Sequence, residues 1–245
     1  MIVVHRKTGW KIISHYTHGL FAGKLAEQLK LDFRPEQWLD TLTAIIEHDD
    51  YLLDFGEQDY LTEIGMPLDY RMAGETDEEA YEHAERVYRN ATQKSQFTAM
   101  LVGHHLDFLY SELAEAYKPL KKFLKNVREE RVKQRNLYGL DKEAASTVYD
   151  LMRFCDRCSL ILCQDQVPTL GRKLEINAAL GDIPHFISKG GEDSISVSPW
   201  PFEKQKFSLN FEYRLLLKSD FKDNDELEAE LKAVKVHLQE IQFEK

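Results

Sequence analysis

The sequence predicts a mainly α fold, a helical bundle with a small antiparallel β-sheet formed by N- and C-terminal strands. Apolar residues recur at helical spacing through most of residues 17–165. Short β-prone or alternating runs lie at both ends of the chain. We therefore expect one domain over residues 1–245, with a helical core at about 17–165 and a β/α appendage from 1–15 and about 192–245.

The first half begins with a predicted hairpin of residues 2–5 and 10–14, turned at Gly9. A helix over 18–30 follows, with Thr17 as its N-cap and an apolar stripe at Phe21, Leu25 and Leu29. Pro35 opens a helix over 36–50. Residues 51–74 are punctuated by Gly and Pro, which predicts a long loop.

The second half begins with a helix over 77–93, whose acidic first turn suits the helix dipole. Further helices are predicted at 95–117, interrupted by Gly103, at 119–137, which is strongly charged, and at 142–164, which has an apolar face. Residues 168–201 predict loops because they contain several Gly and Pro. Residues 207–215 alternate as in a half-buried strand, 223–240 predict a helix and 241–243 a short last strand.

Composition limits the possible partners. The 245 residues carry a formal net charge of -10, which argues against binding a nucleic-acid polymer but allows a small anionic substrate at a metal. No run approaches the roughly 20 apolar residues of a membrane span. Cys155, Cys158 and Cys163 share one predicted helix, which favours buried thiols over disulfides and hence the cytoplasm. A homo-oligomer is compatible with these features.

The most informative residues are His48 and Asp49, at the end of an amphipathic helix. Its apolar stripe, ending at Ile45 and Ile46, has Asp49 at the next position. An unpaired buried carboxylate is unfavourable by several kcal/mol, roughly, so something must compensate its charge. A metal shared with His48 would do so. The alternative is an Asp that caps a neighbouring helix beside a surface His.

Other polar residues also fall on apolar helical faces: His18, His83, His104, His105 and Asp156. Each has an ordinary alternative, because a single His on such a face is usually a hydrogen-bonded core residue. Asp156 has Arg153 and Arg157 beside it and so could form a simple ion pair. Taken together, four His and two Asp would hold two divalent metals (Fe, Mn, Ni or Zn), with Asp49 or a water as bridge. Such a site activates water or dioxygen.

The order His18, His48-Asp49, His83, His104-His105, Asp156 resembles the H…HD…H…HH…D order of HD-domain metal-dependent phosphohydrolases, which include phosphodiesterases. The resemblance covers about residues 17–163 and implies an HD-domain-like helical bundle with the metal site in its core. The implied metal ligands are His18, His48, Asp49, His83, His105 and Asp156. Asp49 and His104 are the implied catalytic residues, with His104 otherwise a support or additional ligand.

The chain is also similar to a bacterial family of uncharacterised HD-like proteins. The matching segments are Thr17-His18-Gly19, the loop from Thr62 to Tyr70, Leu101-Val102-Gly103-His104-His105, the segment from Asp156 to Cys163, and Pro199-Trp200-Pro201-Phe202. Many HD phosphodiesterases follow the dyad with Gly-Lys, whereas Asp50-Tyr51-Leu52 stands here. The cation that would assist at a phosphate is therefore open, with Lys24, Arg86, Arg89 and Arg157 as candidates.

Three functions follow as hypotheses. The first is a hydrolase of a small phosphoester or nucleotide, which uses a dinuclear metal site to activate water. The second is a di-iron HD-type oxygenase of a small polyol or phosphonate, which the missing Gly-Lys favours. The third is a non-enzymatic binding protein on an HD scaffold.

Overall fold

Strands make up a larger part of the fold than the sequence predicts. The computed structural model describes residues 1–50, 59–74, 76–176, 178–191 and 194–245. Within these residues the strands are β1 (Ile2–Arg6), β2 (Gly9–Ile13), β3 (Leu174–Glu175), β4 (Phe186–Lys189), β5 (Ile195–Ser198), β6 (Lys206–Leu216) and β7 (Val236–Glu244). They form one mixed sheet in the order β1-β2-β6-β7-β5-β4-β3, in which β5 and β7 are parallel and the other neighbours antiparallel.

The described helices are α1 (His15–Ala26), α2 (Trp38–Glu47), α3 (Asp77–Thr92), α4 (Gln96–Tyr110), α5 (Lys118–Leu137), α6 (Lys142–Cys163) and α7 (Asn224–Ala233). Side-chain caps define several starts: Ser14 accepts a hydrogen bond from the Thr17 amide, and Asp141 accepts one from the Ala144 amide. None of these helices is both long enough and apolar enough to cross a bilayer.

The sheet joins the helices through one shared core. Ile2 and Ile13 belong to the large hydrophobic cluster that includes the helices, and Phe21 of α1 packs on Phe211 of β6 with ring centroids 4.9 Å apart. On the hairpin, Val3 and Ile12 belong instead to a smaller cluster that contains Leu227 of α7. Successive side chains of a strand point to opposite faces of the sheet, so the hairpin contributes residues to both clusters.

The predicted fold class, mainly α with a small antiparallel sheet, is wrong. Of the described residues, 48% are helical and 20% lie in strands, and the sheet is large and mixed. The strands β3, β4 and β5 lie in the Gly- and Pro-rich region predicted as loop, where each has four residues or fewer. The predicted helix over 223–240 ends at Ala233, because β7 pairs with β6 along nine residues. Such non-local pairing overrides a local helical pattern.

A close contact between α1 and α2 positions the polar residues of the site described in the next subsection. A Cβ atom on Gly19 of α1 would lie 2.1 Å from the main-chain oxygen of Ile46 on α2, far inside van der Waals contact. One on Gly23 would lie 2.5 Å from Cγ1 of the same residue. The two glycines therefore let α1 and α2 approach closely, and this approach brings His18 of α1 beside the end of α2.

We predict that Gly19→Ala destabilises the protein by about 2 kcal/mol, even though alanine is the better helix former. The added methyl group must push α2 away, because its nearest neighbour is main chain and cannot rotate aside. Urea unfolding monitored by circular dichroism measures the loss. Gly74→Ala is the matched control, since its Cβ would meet no atom within 4 Å. Equal stability of the two variants would contradict this packing account.

Candidate metal centre

Three imidazoles and two carboxylates from four helical segments meet in one place. They are His18 of α1, His48 and Asp49 at the end of α2, His105 of α4 and Asp156 of α6. His18 Nε2 lies 3.1 Å from Asp156 Oδ1 and 3.9 Å from Asp49 Oδ2, His48 Nε2 lies 3.4 and 3.6 Å from the same two oxygens, and His105 Nε2 lies 4.0 Å from Asp49 Oδ1. The imidazoles are sealed, at most 4% exposed, whereas the carboxylates keep 14% and 16% exposure. The carboxylates are therefore the more exposed members of the cluster.

Main-chain and side-chain acceptors orient two of these imidazoles. His48 Nδ1 lies 2.7 Å from the Ile45 carbonyl oxygen, which can only accept, so Nδ1 carries a proton. His18 Nδ1 lies 2.8 Å from the Ser159 hydroxyl, which donates its own proton to the His18 carbonyl oxygen. Ser159 therefore accepts from Nδ1. In both residues Nε2 is left to face the carboxylates, which is the tautomer that binds metals.

This arrangement is unbalanced without a cation. Each of these two imidazoles has oxygen acceptors at both nitrogens, but a neutral imidazole has a single N–H. One nitrogen must then turn a lone pair toward a carboxylate, unless the ring gains a second proton or a metal lies between them. His48 Nε2 shows the problem directly, because it is fully buried and makes no well-formed hydrogen bond with any residue that the structure describes.

The donor set fits a divalent transition metal. One ligand atom from each of His18, His48 and Asp49 can be chosen so that all three lie within 4.8 Å of one another, and two ligands on opposite sides of a metal are roughly 4 Å apart. Imidazole nitrogen with carboxylate oxygen suits Fe, Mn, Ni and Zn. The two oxygens of Asp49 face different imidazoles, Oδ2 toward His18 and His48 and Oδ1 toward His105.

Electrostatics in the metal-free protein follow from this crowding. Burial opposes a charge on His48, but Asp49 and Asp156 outweigh it and raise the pKa of His48 to about 10. Burial also opposes charge on both carboxylates, yet the neighbouring imidazoles hold the pKa of each below its usual range. The pKa of His105 falls to about 4 through burial and then the charge on His48. Without a metal, the centre thus holds an imidazolium, His48, between two carboxylates.

Sequence reasoning missed His15. This residue is 1% exposed, its Nδ1 lies 3.5 Å from Asp49 Oδ2, and its ring meets Tyr70 edge to face at 4.9 Å. The spacing His15-x-x-His18 places both imidazoles on one helical face. That signal was hidden because the helix was predicted to begin after Thr17, whereas Ser14 caps it three residues earlier.

Two histidines predicted for the site, His83 and His104, lie outside this group of contacts. His83 is 5% exposed and lies on the face of α3 that also carries Ala80, Ala84 and Val87. The distances given above for the centre do not involve His83. His104 is half-buried and stacks on Tyr149, whose hydroxyl lies 3.4 Å from His105 Nδ1. Burial and then Arg131 lower the pKa of His104 to about 4. His104 is thus a neutral imidazole beside Tyr149.

The predicted phosphate-assisting cations are scattered. Lys24 donates to the carbonyl and the side-chain oxygens of Asn210 on β6, so it is directed toward the sheet. Arg86 is half-buried and Arg89 exposed on α3, and Arg157 is half-buried next to Asp156. Arg153, one turn before Asp156, lies with its guanidinium 4.4 Å above the Phe108 ring, and its charge lowers the pKa of His105 after burial and His48. It is therefore a further cation close to the centre.

The chain is similar to a protein family of unknown function. A family model described as Protein of unknown function (DUF3891) matches residues 1–218. The chain belongs to the DUF3891 family. In this member of the DUF3891 family the match spans every residue of the centre and ends before α7. Searches of curated proteins and of solved structures each found no match. The family description gives no activity, so the HD-domain resemblance stays a prediction.

We predict that the purified protein carries about one or more equivalents of a transition metal and that His48→Ala loses at least roughly nine-tenths of it. The substitution removes a ligand whose orientation the Ile45 carbonyl fixes. Inductively coupled plasma mass spectrometry measures the content. His237→Ala on β7 is the control, because that imidazole stacks on Tyr213 in the sheet. Metal retained in His48→Ala would count against the centre.

The pH dependence of stability gives a second prediction. The pKa of His48 is raised from the ordinary histidine value of 6.5 to about 10, so its stabilising effect is complete below pH 6.5 and lost as the pH rises toward 10. Metal-free protein should therefore melt at lower temperature at pH 9 than at pH 6.5, and added Mn²⁺ should remove most of the difference.

Thermal melts across this range, with and without chelator, measure the effect. His48→Gln is the control, since it has no proton to lose and should show a flatter profile. A wild-type profile as flat as that of the variant would refute the imidazolium assignment.

Proposed function

We propose that this chain is a metal-dependent hydrolase of a small phosphoester or nucleotide, with a dinuclear centre. The observation that carries the proposal is the division of Asp49: one oxygen faces His18 and His48 and the other faces His105. A carboxylate with imidazoles at both oxygens suits a bridge between two ions. The order of these residues supports membership of the HD-domain superfamily as part of the same proposal.

The protein's own residues have defined tasks in this proposal. His18, His48, Asp49 and Asp156 would hold one divalent ion, and His105 with Asp49 would begin a second position, with His83 and His15 as further candidate ligands. Bound divalent ions supply Lewis acidity and lower the pKa of coordinated water. Ser159 and the Ile45 carbonyl keep two imidazoles in the binding tautomer, and the apolar core around the rings excludes bulk water.

Charge favours an anionic small molecule as substrate. Two cations at the centre would outweigh its two carboxylates, so a phosphate would be attracted although the whole chain carries -10. Arg153 lowers the pKa of His105 after burial and His48 do, and we propose that it joins the predicted cations in attracting the substrate. We propose the cytoplasm as the location, since the three cysteines are buried free thiols.

A second candidate is a di-iron oxygenase of a small polyol or phosphonate. The centre has only nitrogen and oxygen donors, which suits iron that reacts with dioxygen as well as a hydrolytic metal pair. The absence of a lysine directly after the dyad favours it, because Asp50 and Tyr51 stand there. Iron analysis and electron paramagnetic resonance of anaerobically purified protein separate the two. A third candidate, a binding protein without activity, predicts that substitution of His48 lowers stability while there is no activity to lose.

We predict that Mn²⁺- or Fe²⁺-loaded protein hydrolyses p-nitrophenyl phosphate or its bis-ester, and that Asp49→Asn lowers kcat/KM at least about 100-fold. The variant keeps the size of the side chain but removes the charge that would hold both ions. Release of p-nitrophenolate measures the rate. Asp32→Asn, at an exposed position, is the control and should match wild type. Turnover that survives in Asp49→Asn would contradict the proposal.

A further inference from the structure

A cavity lined by positively charged side chains lies against the β1–β2 hairpin, and no residue of the metal centre lines it. Its volume is about 1070 Å³ including its mouth. None of the described residues in its lining is acidic. The residues that matter here are three cations of the hairpin and three residues of β6 and β7: Arg6, Lys7, Lys11, Tyr213, Leu215 and Gln239. We refer to it as the hairpin cavity.

Strand register places the hairpin cavity on the side of the sheet that faces the helices. Lys11 of β2 lies opposite Leu215 of β6, so these two side chains share a face of the sheet. At alternate positions the same face carries Ile13 and Phe211, which belong to the core shared with the helices. The hairpin cavity therefore begins where this apolar core gives way to polar side chains.

The buried ammonium of Lys11 is the most unusual group in the lining. Lys11 is 2% exposed, and its Nζ lies 3.2 Å from both carboxylate oxygens of Asp165, just after α6, and 5.1 Å from the centre of the Phe211 ring. Burial lowers the pKa of Lys11, and Asp165 opposes this fall. A buried charge is costly unless its partners compensate it well. A second anion next to Lys11 would lower that cost.

Asp165 does not balance the positive charge of the hairpin cavity. It pairs with both Arg6 and Lys11, so a single carboxylate serves two cations. Arg6 donates one N–H to Asp165, and the rest of this guanidinium, 45% exposed, keeps its donors for other acceptors. Lys7 is exposed and forms no ion pair with any described residue. Three cations and one carboxylate leave a net charge of +2 in a chain that carries -10.

This charge matches a phosphate group. A phosphate monoester carries roughly -1.5 to -2 at neutral pH and has several strong acceptor oxygens, whereas a single carboxylate would balance only half of the charge. Ammonium and guanidinium groups are the usual donors to such oxygens. Tyr213 and Leu215 are half-buried and offer apolar surface to an organic group, which the amide of Gln239 can hydrogen-bond. The same charges disfavour a metal ion.

We propose that the hairpin cavity binds a small organic phosphate, whose phosphate group is held by Lys11, Arg6 and Lys7. This site is independent of the proposed hydrolase function, because it shares no residue with the metal centre.

Isothermal titration calorimetry of the full chain tests the proposal with phenylphosphonate, inorganic phosphate and acetate. Each titration is run on the protein as purified and again with EDTA, which removes any contribution of metals at the centre. With EDTA present we expect phenylphosphonate to bind at least about threefold more tightly than inorganic phosphate, through its ring, and at least about tenfold more tightly than acetate.

Two variants locate the binding. Lys11→Met should weaken phenylphosphonate at least about tenfold, since it removes the buried cation, and Lys7→Gln about threefold, since that cation is exposed. Lys204→Gln is the matched control for Lys7→Gln, because Lys204 is also exposed in a turn, between β5 and β6, and does not line the hairpin cavity. It should leave every affinity unchanged.

Circular dichroism checks the fold of each variant and of the protein in EDTA. Lys7→Gln decides the outcome if Lys11→Met does not fold, because Lys7 lies in an exposed turn. An unchanged affinity in Lys7→Gln, loss of all phosphonate binding from the folded protein in EDTA, or acetate bound as tightly as phenylphosphonate would overturn the site. Equal affinity for inorganic phosphate and phenylphosphonate would overturn its assignment to an organic ligand.

Discussion

The meeting of two carboxylates with three imidazoles inside the helical layer is the constraint on which the rest of the structure depends. Asp49 and Asp156 would repel each other in a sparsely hydrated interior, and their charge cannot be left there without compensation. His48, between their oxygens, supplies it in the metal-free protein by taking up a proton. A divalent cation would supply it better, because it would bring more charge and use the lone pairs of several imidazoles at once.

The surrounding architecture holds this arrangement from several directions. The glycines of α1 allow contact with the main chain of α2, so the first imidazole lies beside the dyad. On the far side, Ser159 of α6 fixes the His18 ring, and the same helix presents Asp156 three residues earlier. The sheet contributes indirectly, since Phe211 of β6 packs on Phe21 of α1 and supports that helix from below. Packing contacts elsewhere in the fold thus offset the energetic cost of bringing the two carboxylates together.

Sequence patterns were sufficient for much of the centre and for little of the sheet. Polar residues on apolar stripes pointed to His18, Asp49, Asp156 and the pair His104-His105, because a core position excludes an uncompensated charge whatever the fold. The choice of His105 within that pair came from the family resemblance. His15 escaped because one cap, Ser14, moved the start of a helix. The predicted helix at 223–240 failed beyond Ala233 because strand pairing depends on β6, which lies about 30 residues earlier in the chain. The predicted loop at 51–74 falls partly outside the described residues.

X-ray absorption spectroscopy of the purified protein, at the absorption edge of whatever metal it carries, tests the central claim most directly. The account predicts a shell of nitrogen and oxygen at about 2.0–2.2 Å, outer-shell scattering from imidazole rings, and no sulfur near roughly 2.3 Å. A second metal at about 3.5–4 Å would show a dinuclear centre, as a bridge through Asp49 requires. A sulfur shell from the buried cysteines, or protein that binds no transition metal, would contradict it.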